Sequence, residues 1–271
     1  MSNPTFDLTQ SKKRCTRFRK RILEISQQVA AAHVAPAFSC VEIVDAVYFL
    51  LMRRNDDGSS PDTFMMSKGH GCLAQYVALE EIGVLSPKDI ASYCKRDGIL
   101  GCHPDYGNPG ICASTGSLGH GMGMAVGMAY ADKLKKHDGI IYAVMSDGEF
   151  QEGSTWESMM VAPSLGINNL IVFLDLNGYL SLAKIADDMP NFYPVTDKIR
   201  AFGWEVHEVD GHKTEDIYRA VGSLSGKKPS VIVAKTVKGK GVSFMENVPI
   251  WHYRSPTSAE YQRALEELEQ Q

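Results

Sequence analysis

The chain has 271 residues, of which 44% are hydrophobic and 22% are charged, and its formal net charge at pH 7 is -4. This composition is typical of a globular protein, and the length allows one large α/β domain or two small ones. The slightly acidic balance gives no electrostatic reason to expect nucleic acid or an anionic membrane as a partner.

The N-terminal part of the chain is predicted to be mainly helical. A helix over residues 8–32 is expected to end near His33, because Pro36 and the residues around it interrupt the pattern. Further helices are predicted over residues 41–52, over residues 73–82 and after Ser86-Pro87, where Ser86 is the expected N-cap. Glycine and proline are frequent in residues 98–112, which we predict to be a long loop.

The segment from Ala113 to Ala131 contains no Asp, Glu, Lys or Arg. It is still a poor candidate for a membrane span, because its five glycines and several polar residues dilute its apolar character. We expect Gly119, Gly123 and Gly127 to let helices pack closely in this segment.

The pattern of cysteines indicates the cellular compartment of the protein. None of the cysteines forms a C-x-x-C pair, and we recognise no signal peptide before them. This pattern favours reduced thiols in a cytoplasmic protein over a disulfide framework. The cysteines are Cys15, Cys40, Cys72, Cys94, Cys102 and Cys112.

The C-terminal half alternates between short apolar runs and helical patterns. Apolar β-branched runs separated by helices are typical of a parallel sheet that is covered on both faces. We therefore predict a doubly wound α/β fold, with residues 1–271 forming a single domain. The predicted strands are 140–145, 170–175, 205–209 and 230–235, and the predicted helices are 154–165, 196–202 and 214–224.

Polar residues follow two of the predicted strands directly. Asp147 comes just after the strand that ends at Met145, and Asn177 follows the strand that ends at Asp175. Ligands of open parallel sheets bind at the carboxyl ends of the strands, so these side chains face one crevice if the strands are neighbours. Carboxylate and amide oxygens suit Mg²⁺ or Ca²⁺ rather than zinc, and phosphate oxygens commonly complete the coordination of Mg²⁺.

The spacing of these residues resembles a known cofactor signature. Enzymes that use thiamine diphosphate carry Gly-Asp-Gly, followed by an Asn at a distance similar to the 30 residues between Asp147 and Asn177. Here Ser146 replaces the first glycine of that triplet. The replacement leaves the metal-binding carboxylate intact but changes the bend between strand and loop.

Further motifs narrow the resemblance to the transketolase family. They occur in the order of the family, cover nearly the whole chain, and align only with the N-terminal, diphosphate-binding domain of a full transketolase. The motifs are Ser67-Lys68-Gly69-His70-Gly71, Gly101-Cys102-His103-Pro104-Asp105, Thr115 to Gly121, Gln151-Glu152-Gly153, Ala201 to Trp204, Val209 to His212, Lys235 to Gly241 and Trp251-His252.

The resemblance implies thiamine diphosphate and Mg²⁺ (or Ca²⁺) as cofactors and assigns roles residue by residue. Asp147, Asn177 and the carbonyl of Tyr179 match the metal ligands. His70, Gly116, Ser117, Leu118, Gly148, Asn177 and His252 match the cofactor contacts. His33, His103 and His252 match histidines that contact substrate hydroxyls, for which imidazoles of near-neutral pKa are suited. Glu152 matches an acid at the interface between active sites.

The resemblance also implies a partner. The pyrimidine-binding domain, which carries the activating Glu of the family, and the C-terminal domain are expected on a separate chain. Because the active sites of the family lie between subunits, we expect a heterotetramer of two copies of each chain. The expected reaction is transfer of a two-carbon ketol unit from a ketose to an aldose.

Two segments depart from the family pattern. The sequence from Ala32 to Ala37 lacks the glycines that usually surround His33, and the sequence from Gly178 to Ala183 lacks the usual ending after Asn177. Both border the expected substrate channel or cofactor pocket. Our hypothesis is therefore a donor or acceptor other than the pentose-pathway phosphates, such as a modified sugar or a substrate of specialised metabolism, with a ketose phosphate or a modified sugar as the donor class.

Two other functions are considered. The first is another thiamine-diphosphate-dependent ligase or lyase subunit, either of the α-ketoacid type or like the synthase of deoxyxylulose phosphate. His70, His103 and Trp251-His252 favour transketolase over the dehydrogenase type. The second is a non-catalytic scaffold, against which the intact Asp147 and Asn177 argue.

Overall fold

A five-stranded sheet lies at the centre of the computed structural model, which describes residues 7–270. All neighbouring strands of this sheet are parallel, and their order is β1-β2-β3-β7-β6. Two further strands, β4 and β5, form a small antiparallel hairpin. In chain order the strands are β1 (Thr63–Met66), β2 (Ile141–Ser146), β3 (Leu170–Leu176), β4 (Tyr179–Leu180), β5 (Ala183–Lys184), β6 (Glu205–Asp210) and β7 (Ser230–Lys235).

Helices flank the sheet. They are α1 (Leu8–Ser26), α2 (Val34–Ser39), α3 (Val41–Ala46), α4 (Cys72–Glu81), α5 (Pro87–Ala91), α6 (His120–Lys135), α7 (Gly153–Ser164), α8 (Ile185–Asp188), α9 (Val195–Ala201), α10 (Thr214–Gly222) and α11 (Ser258–Glu269). A π-helical turn, Val47–Leu51, continues α3. Short 3₁₀ turns occur at Gly69–Gly71, Glu149–Gln151, Pro190–Phe192 and Pro249–Tyr253.

Each face of the sheet contributes to a separate hydrophobic core. Successive side chains of a strand point to opposite faces. Tyr142 and Val144 of β2 therefore pack with residues of α1, α3 and α4, whereas Ile141 and Ala143 pack with residues of α6, α7 and α9. The predicted doubly wound parallel sheet with helices on both faces is confirmed.

The first helix is shorter than predicted. It ends at Ser26 rather than near residue 32, and a new helix begins at Val34. The prediction was wrong about Pro36, which lies in the first turn of α2 instead of ending a helix. Proline is tolerated there because the first amides of a helix have no intrahelical acceptor in any case.

Several elements were not predicted from the sequence: α2, the long helix α6, the short elements β4, β5 and α8, and also β1 and α11. The edge strand β1 has only four residues, too few for a clear periodic pattern, and it is specified by its pairing with β2. Helix α11 begins at a capping box formed by Thr257 and Glu260, a signal that the sequence does contain.

Of the three glycines that were predicted to allow close packing, Gly119 is the N-cap residue of α6 and the other two lie within the helix. The prediction holds for only some of them. A Cβ at Gly119 would lie 2.6 Å from the Cβ of Glu152, and one at Gly123 would lie 3.3 Å from Ser158 Oγ. Apart from the neighbouring residues and the backbone of α6 itself, no atom of residues 7–270 lies within 4 Å of a Cβ built at Gly127. Gly119 and Gly123 therefore sit against neighbouring residues, whereas Gly127 does not.

Over residues 7–270 the structure contains no helix of the length and apolarity needed to cross a membrane. All six cysteines lie in this range and all are free thiols. The most exposed of them is Cys94, in the loop after α5.

Candidate active site

A cavity of about 270 Å³ lies where the loops after β1, β2, β3 and β7 meet. Carboxyl ends of parallel strands converge on one edge of a sheet, and such an edge is the usual ligand site of this class of fold. The cavity is lined by Pro36, His70, Leu118, Ser146, Gly148, Gln151, Glu152, Asn177, Tyr179, Leu180, Ser181, Lys238 and His252.

The three candidate metal ligands lie close together beside this cavity. Asp147 is fully buried, and its carboxylate accepts hydrogen bonds from the backbone N–H groups of Gly148, at 2.9 Å, and Gly178, at 2.5 Å. The Oδ1 atom of Asn177 accepts from the N–H of Tyr179 at 3.2 Å. Asp147 is therefore tied to the very loop that carries the other two candidates.

This arrangement fits a hard divalent cation bound together with a phosphate group. The donor set combines a carboxylate, an amide oxygen and a backbone carbonyl, as Mg²⁺ and Ca²⁺ prefer. A Cβ at Gly148 would lie 3.4 Å from Leu180 and 3.9 Å from the carbonyl oxygen of Tyr179, so a side chain there would fill the space between the two loops. Among residues 7–270 no group of three or more His, Cys, Asp or Glu could hold a metal ion, and the candidate set contains only one such residue.

Burial also affects the charge of the Asp147 carboxyl. Its desolvation, together with the nearby Asp175, raises the pKa to about 7. A carboxylate that is desolvated in this way gains strongly from a cation placed beside it.

Four imidazoles that are far apart in the sequence form one cluster next to the cavity. The ring of His33 lies 5.9 Å from His70, 5.4 Å from His103 and 5.4 Å from His252, and His70 lies 5.4 Å from His252. The Nδ1 atom of His33 is buried and has no hydrogen-bond partner within residues 7–270. This nitrogen is therefore an unsatisfied polar atom inside the cluster.

The clustered imidazoles are neutral near pH 7. Burial, followed by the charge of His103, lowers the pKa of His33 to about 4. Burial and Lys238 lower the pKa of His252 to about 3. Burial is also the first cause of the lowered pKa of His70 and His103. Neutral imidazoles can both donate and accept protons, which suits them to hydroxyl groups of a substrate.

Glycines allow the loop before α6 to approach this cluster closely. Gly116 has a φ of +123°, and a Cβ there would lie 2.7 Å from the ring of His103. A Cβ at Gly69 would lie 2.7 Å from the Cα of Gly116. A side chain at Gly116 would push His103 away from this loop, and a side chain at Gly69 would push the loop of His70 away from it. Leu118 of the same loop lines the cavity, whereas Ser117 is exposed and is not part of the lining.

Glu152 lies at the edge of the site. It is exposed and precedes α7 as its N-cap residue, and it contributes to the cavity lining. Beside it, the Nε2 atom of Gln151 is buried without a hydrogen-bond partner among the described residues.

Lys238 is a functional candidate that the sequence reasoning missed. Its Nζ donates to the carbonyl of Ser181 at 2.5 Å and lies 2.9 Å from Nδ1 of His252. Because an ammonium group can only donate, Nδ1 of His252 accepts, and the proton of its neutral ring is on Nε2. Burial, followed by the nearby Lys68, lowers the pKa of Lys238 to about 8. Its place in a family motif directly after β7 was the available signal.

A buried ion pair supports the floor of the site. Lys68 and Asp175 are both fully buried and form a salt bridge. Lys68 also donates to the carbonyl of Pro36 at 2.9 Å, and Ser39 donates to Asp175 at 2.6 Å. Thr236 donates to the other carboxylate oxygen. The network joins the loop after β1, helix α2 and the ends of β3 and β7.

Comparison with known proteins identifies a family. Residues 11–255 match the family described as transketolase, thiamine diphosphate binding domain. The chain is 38% identical over 255 residues to an apulose-4-phosphate transketolase subunit of Phocaeicola vulgatus, covering 92% of this chain and 90% of that protein. It is 36% identical over 260 residues to the 6-deoxy-6-sulfo-D-fructose transketolase subunit SqwG of a Clostridium species, covering 93% and 94% of the two chains.

The fold is similar to that of solved transketolases. The transketolase of Campylobacter jejuni superposes with a TM-score of 0.88 at 23% sequence identity. The match covers 97% of this chain but 43% of that one, so the chain spans less than half of the solved protein.

Proposed function

This chain belongs to the transketolase family through its thiamine-diphosphate-binding domain, and on that premise we propose that it is the N-terminal subunit of a split transketolase. The proposed reaction is transfer of a two-carbon ketol unit from a ketose to an aldose. One observation carries the proposal: Asp147, Asn177 and Tyr179 meet beside a cluster of four neutral imidazoles.

The proposed cofactor site uses the residues at the carboxyl ends of β2 and β3. Asp147, Asn177 and the carbonyl of Tyr179 would hold Mg²⁺ (or Ca²⁺), with Gly148 leaving room for the diphosphate. His70, Leu118 and His252 line the same cavity, and Gly116 and Ser117 belong to the loop beside it. Lys238 adds a buried cation to the lining of the cavity, where it can pair with an anionic group. When bound, thiamine diphosphate supplies the carbon nucleophile of the reaction.

The imidazoles would exchange protons and hydrogen bonds with the substrate hydroxyls. Cleavage and formation of a ketose carbon–carbon bond move protons on and off oxygen atoms. His33 and His103 lie side by side and are neutral near pH 7, so each can accept or donate one of these protons. His252 would orient the substrate, since its Nδ1 is occupied by Lys238.

A modified sugar is the proposed substrate class. Two relatives act, by their names, on apulose 4-phosphate and on a sulfonated fructose. The residues at which this chain departs from the family pattern also line the cavity, among them Pro36, Leu180 and Ser181. These side chains therefore lie beside the proposed cofactor, and Pro36 also belongs to helix α2, whose N-cap residue is His33 of the imidazole cluster. The departure near His33 supports a substrate other than the pentose-pathway phosphates.

The proposed partner is a second chain that carries the pyrimidine-binding domain and its activating Glu, in a heterotetramer of two copies of each chain. Two of the relatives described above are named as subunits, and this chain covers at least 90% of each of them. Exposure of Glu152 at the edge of the cavity supports a contact with a neighbouring subunit there. A cytoplasmic location remains part of the proposal, on the pattern of free cysteines.

A reconstitution experiment tests the proposed function. The chain is co-expressed with the candidate pyrimidine-binding chain, and thiamine diphosphate is titrated in the presence and absence of Mg²⁺. We expect binding that requires Mg²⁺, together with ketol transfer. Absence of binding would support a scaffold role instead. A second experiment compares the turnover of xylulose 5-phosphate with that of modified ketoses and of α-ketoacids. Normal efficiency on xylulose 5-phosphate would contradict the modified-sugar proposal. Turnover of α-ketoacids alone would contradict transketolase activity.

Replacing His103 by alanine is expected to reduce turnover much more than cofactor affinity. Loss of a positioned acid–base group typically costs about 100-fold or more in rate, whereas His103 does not line the cofactor cavity. Steady-state kinetics and a thiamine diphosphate titration on the same preparation measure both quantities. His137→Ala, at a histidine whose side chain is 49% exposed, is the matched control. An unchanged rate in His103→Ala would remove His103 from the proposed chemistry.

A further inference from the structure

Glu149 is a buried acid to which the proposed chemistry gives no role. It follows Gly148 directly, in the 3₁₀ turn Glu149–Gln151, and its relative exposure is 0%. No positive side chain pairs with it among the ion pairs of residues 7–270. Burying a carboxyl group costs free energy unless the group is hydrogen-bonded or paired with a positive charge.

The hydrogen bonds of Glu149 join three separate loops. Its Oε1 atom accepts from the hydroxyl of Ser67 at 2.5 Å, in the loop after β1. The same oxygen accepts from the N–H of Gly119 at 3.2 Å, in the loop before α6. The backbone N–H of Glu149 donates to Ser146 Oγ at 3.2 Å, at the end of β2.

Each of these loops carries a proposed cofactor contact within three residues of Ser67, Gly119 or Glu149. Ser67 is followed by the turn that holds His70, Gly119 follows Leu118, and Glu149 follows Gly148. The side chain of Glu149 is thus one point at which three loops that line the cavity are held together by hydrogen bonds.

The residues around the hydrogen bonds of Glu149 are tightly packed. A Cβ at Gly121 would lie 1.8 Å from Ser67 Oγ, and one at Gly119 would lie 2.6 Å from both Ser154 Oγ and the Cβ of Glu152. The loops can therefore approach only because these positions lack side chains. The Glu149 carboxylate is an acceptor shared by Ser67 and Gly119, and it acts together with the hydrogen bond from Thr115 Oγ1 to the carbonyl of Met66 at 2.7 Å.

The second carboxyl oxygen adds an independent observation. Oε2 of Glu149 is buried and has no hydrogen-bond partner within residues 7–270. An unsatisfied buried acceptor destabilises a fold, and native proteins contain few of them. An unsatisfied buried polar atom of this kind is typical of functional sites, where the geometry of the site matters more than the stability of the fold.

We propose that Glu149 is a positioning residue that holds the loops of Ser67, Gly119 and Gly148 in the geometry needed to bind the diphosphate of the cofactor. This inference rests on the proposed function. Glu149 does not touch the cofactor itself; it acts through His70, Leu118 and Gly148, whose spacing it sets.

Three substitutions test this role in the reconstituted pair, with the Kd of thiamine diphosphate at saturating Mg²⁺ and the thermal unfolding midpoint without cofactor as readouts. Glu149→Ala removes the acceptor and is expected to raise the Kd about 10- to 100-fold, as for loss of hydrogen bonds to a charged group. Glu149→Gln keeps an acceptor oxygen for Ser67 and Gly119 and is expected to restore most of the affinity. Ser67→Ala is expected to give a partial loss that does not add to the loss in Glu149→Ala.

Asp45 offers a matched control in the same chain. It is equally buried, and it accepts from a serine hydroxyl, that of Ser11, at 2.6 Å. It lies on α3 and does not line the cavity. Asp45→Ala should lower the unfolding midpoint and leave the Kd unchanged.

The outcomes separate this inference from the proposed function. If the wild-type pair binds the cofactor and Glu149→Ala binds it equally well, Glu149 has no positioning role although the proposed function stands. A loss of stability in Glu149→Ala without a change in Kd, as in Asp45→Ala, has the same meaning. Should Glu149→Ala not fold, Ser67→Ala decides: a raised Kd supports the positioning role, and a wild-type Kd overturns it. Absence of binding in the wild-type pair overturns both proposals.

Discussion

Replacing Asp147 by alanine is expected to abolish Mg²⁺-dependent binding of thiamine diphosphate. The carboxylate is the one charged ligand in the proposed set, and two backbone N–H groups hold it in place. Metal sites that lose a ligand commonly lose far more than the 10- to 100-fold in affinity that supporting residues contribute. Isothermal titration of the cofactor into the reconstituted pair, with and without Mg²⁺, measures the effect.

The fold itself should survive this substitution. The carboxyl group of Asp147 is desolvated, and its raised pKa reflects an unfavourable environment for the charge in the absence of a cation. Circular dichroism of the variant should therefore match the wild type. Asp187→Ala, at an exposed acid of α8, is the control and should bind normally. Wild-type affinity in Asp147→Ala would contradict the whole assignment of the site.

Replacing Lys68 by methionine is expected to destabilise the chain strongly, by about 3–5 kcal/mol. The substitution keeps the size of the side chain but leaves the Asp175 carboxylate buried without its counter-ion. Such a charge has no access to water, and the hydroxyls of Ser39 and Thr236 compensate for it only in part. Urea unfolding of the purified chain, followed by circular dichroism, measures the loss.

Two further variants identify the cause of this loss. Arg17→Met breaks a salt bridge with Glu81 whose side chains are 56% and 36% exposed, and it should cost less than about 1 kcal/mol. The double variant Lys68→Met/Asp175→Asn removes the unpaired charge and should recover part of the stability. If Lys68→Met costs no more than Arg17→Met, the buried pair does not support the site as we describe.

The order and type of most elements could be predicted from the sequence. Apolar runs and helical periodicity identified β2, β3, β6 and β7 and the helices between them, because burial on both faces of a parallel sheet leaves an uninterrupted hydrophobic pattern. The short strand β1 could not be predicted in this way. Its four residues form a strand only because β2 supplies the hydrogen-bond partners.

The candidate site was predictable in part. Asp147 and Asn177 are identifiable because each follows a strand, and the histidines are identifiable through the family motifs. That His33 lies within 6 Å of His70, His103 and His252 could not be derived from the sequence, because four separate loops contribute these residues. Lys238 and Glu149 were missed for the same reason: their roles depend on contacts with residues distant in the chain.

The sequence by itself determined the fold class, the family and the polar residues that end the strands, because these depend on local patterns and on the order of motifs. Only the tertiary structure decided which polar groups meet, which of them lose water and which loops a single carboxyl group connects. The physical reason is that desolvation, hydrogen-bond partners and the resulting pKa values depend on neighbours brought together by the sheet. Asp147 illustrates this difference. Its position after β2 can be predicted from the sequence, whereas its burial beneath the loop of Gly178 is a property of the folded chain.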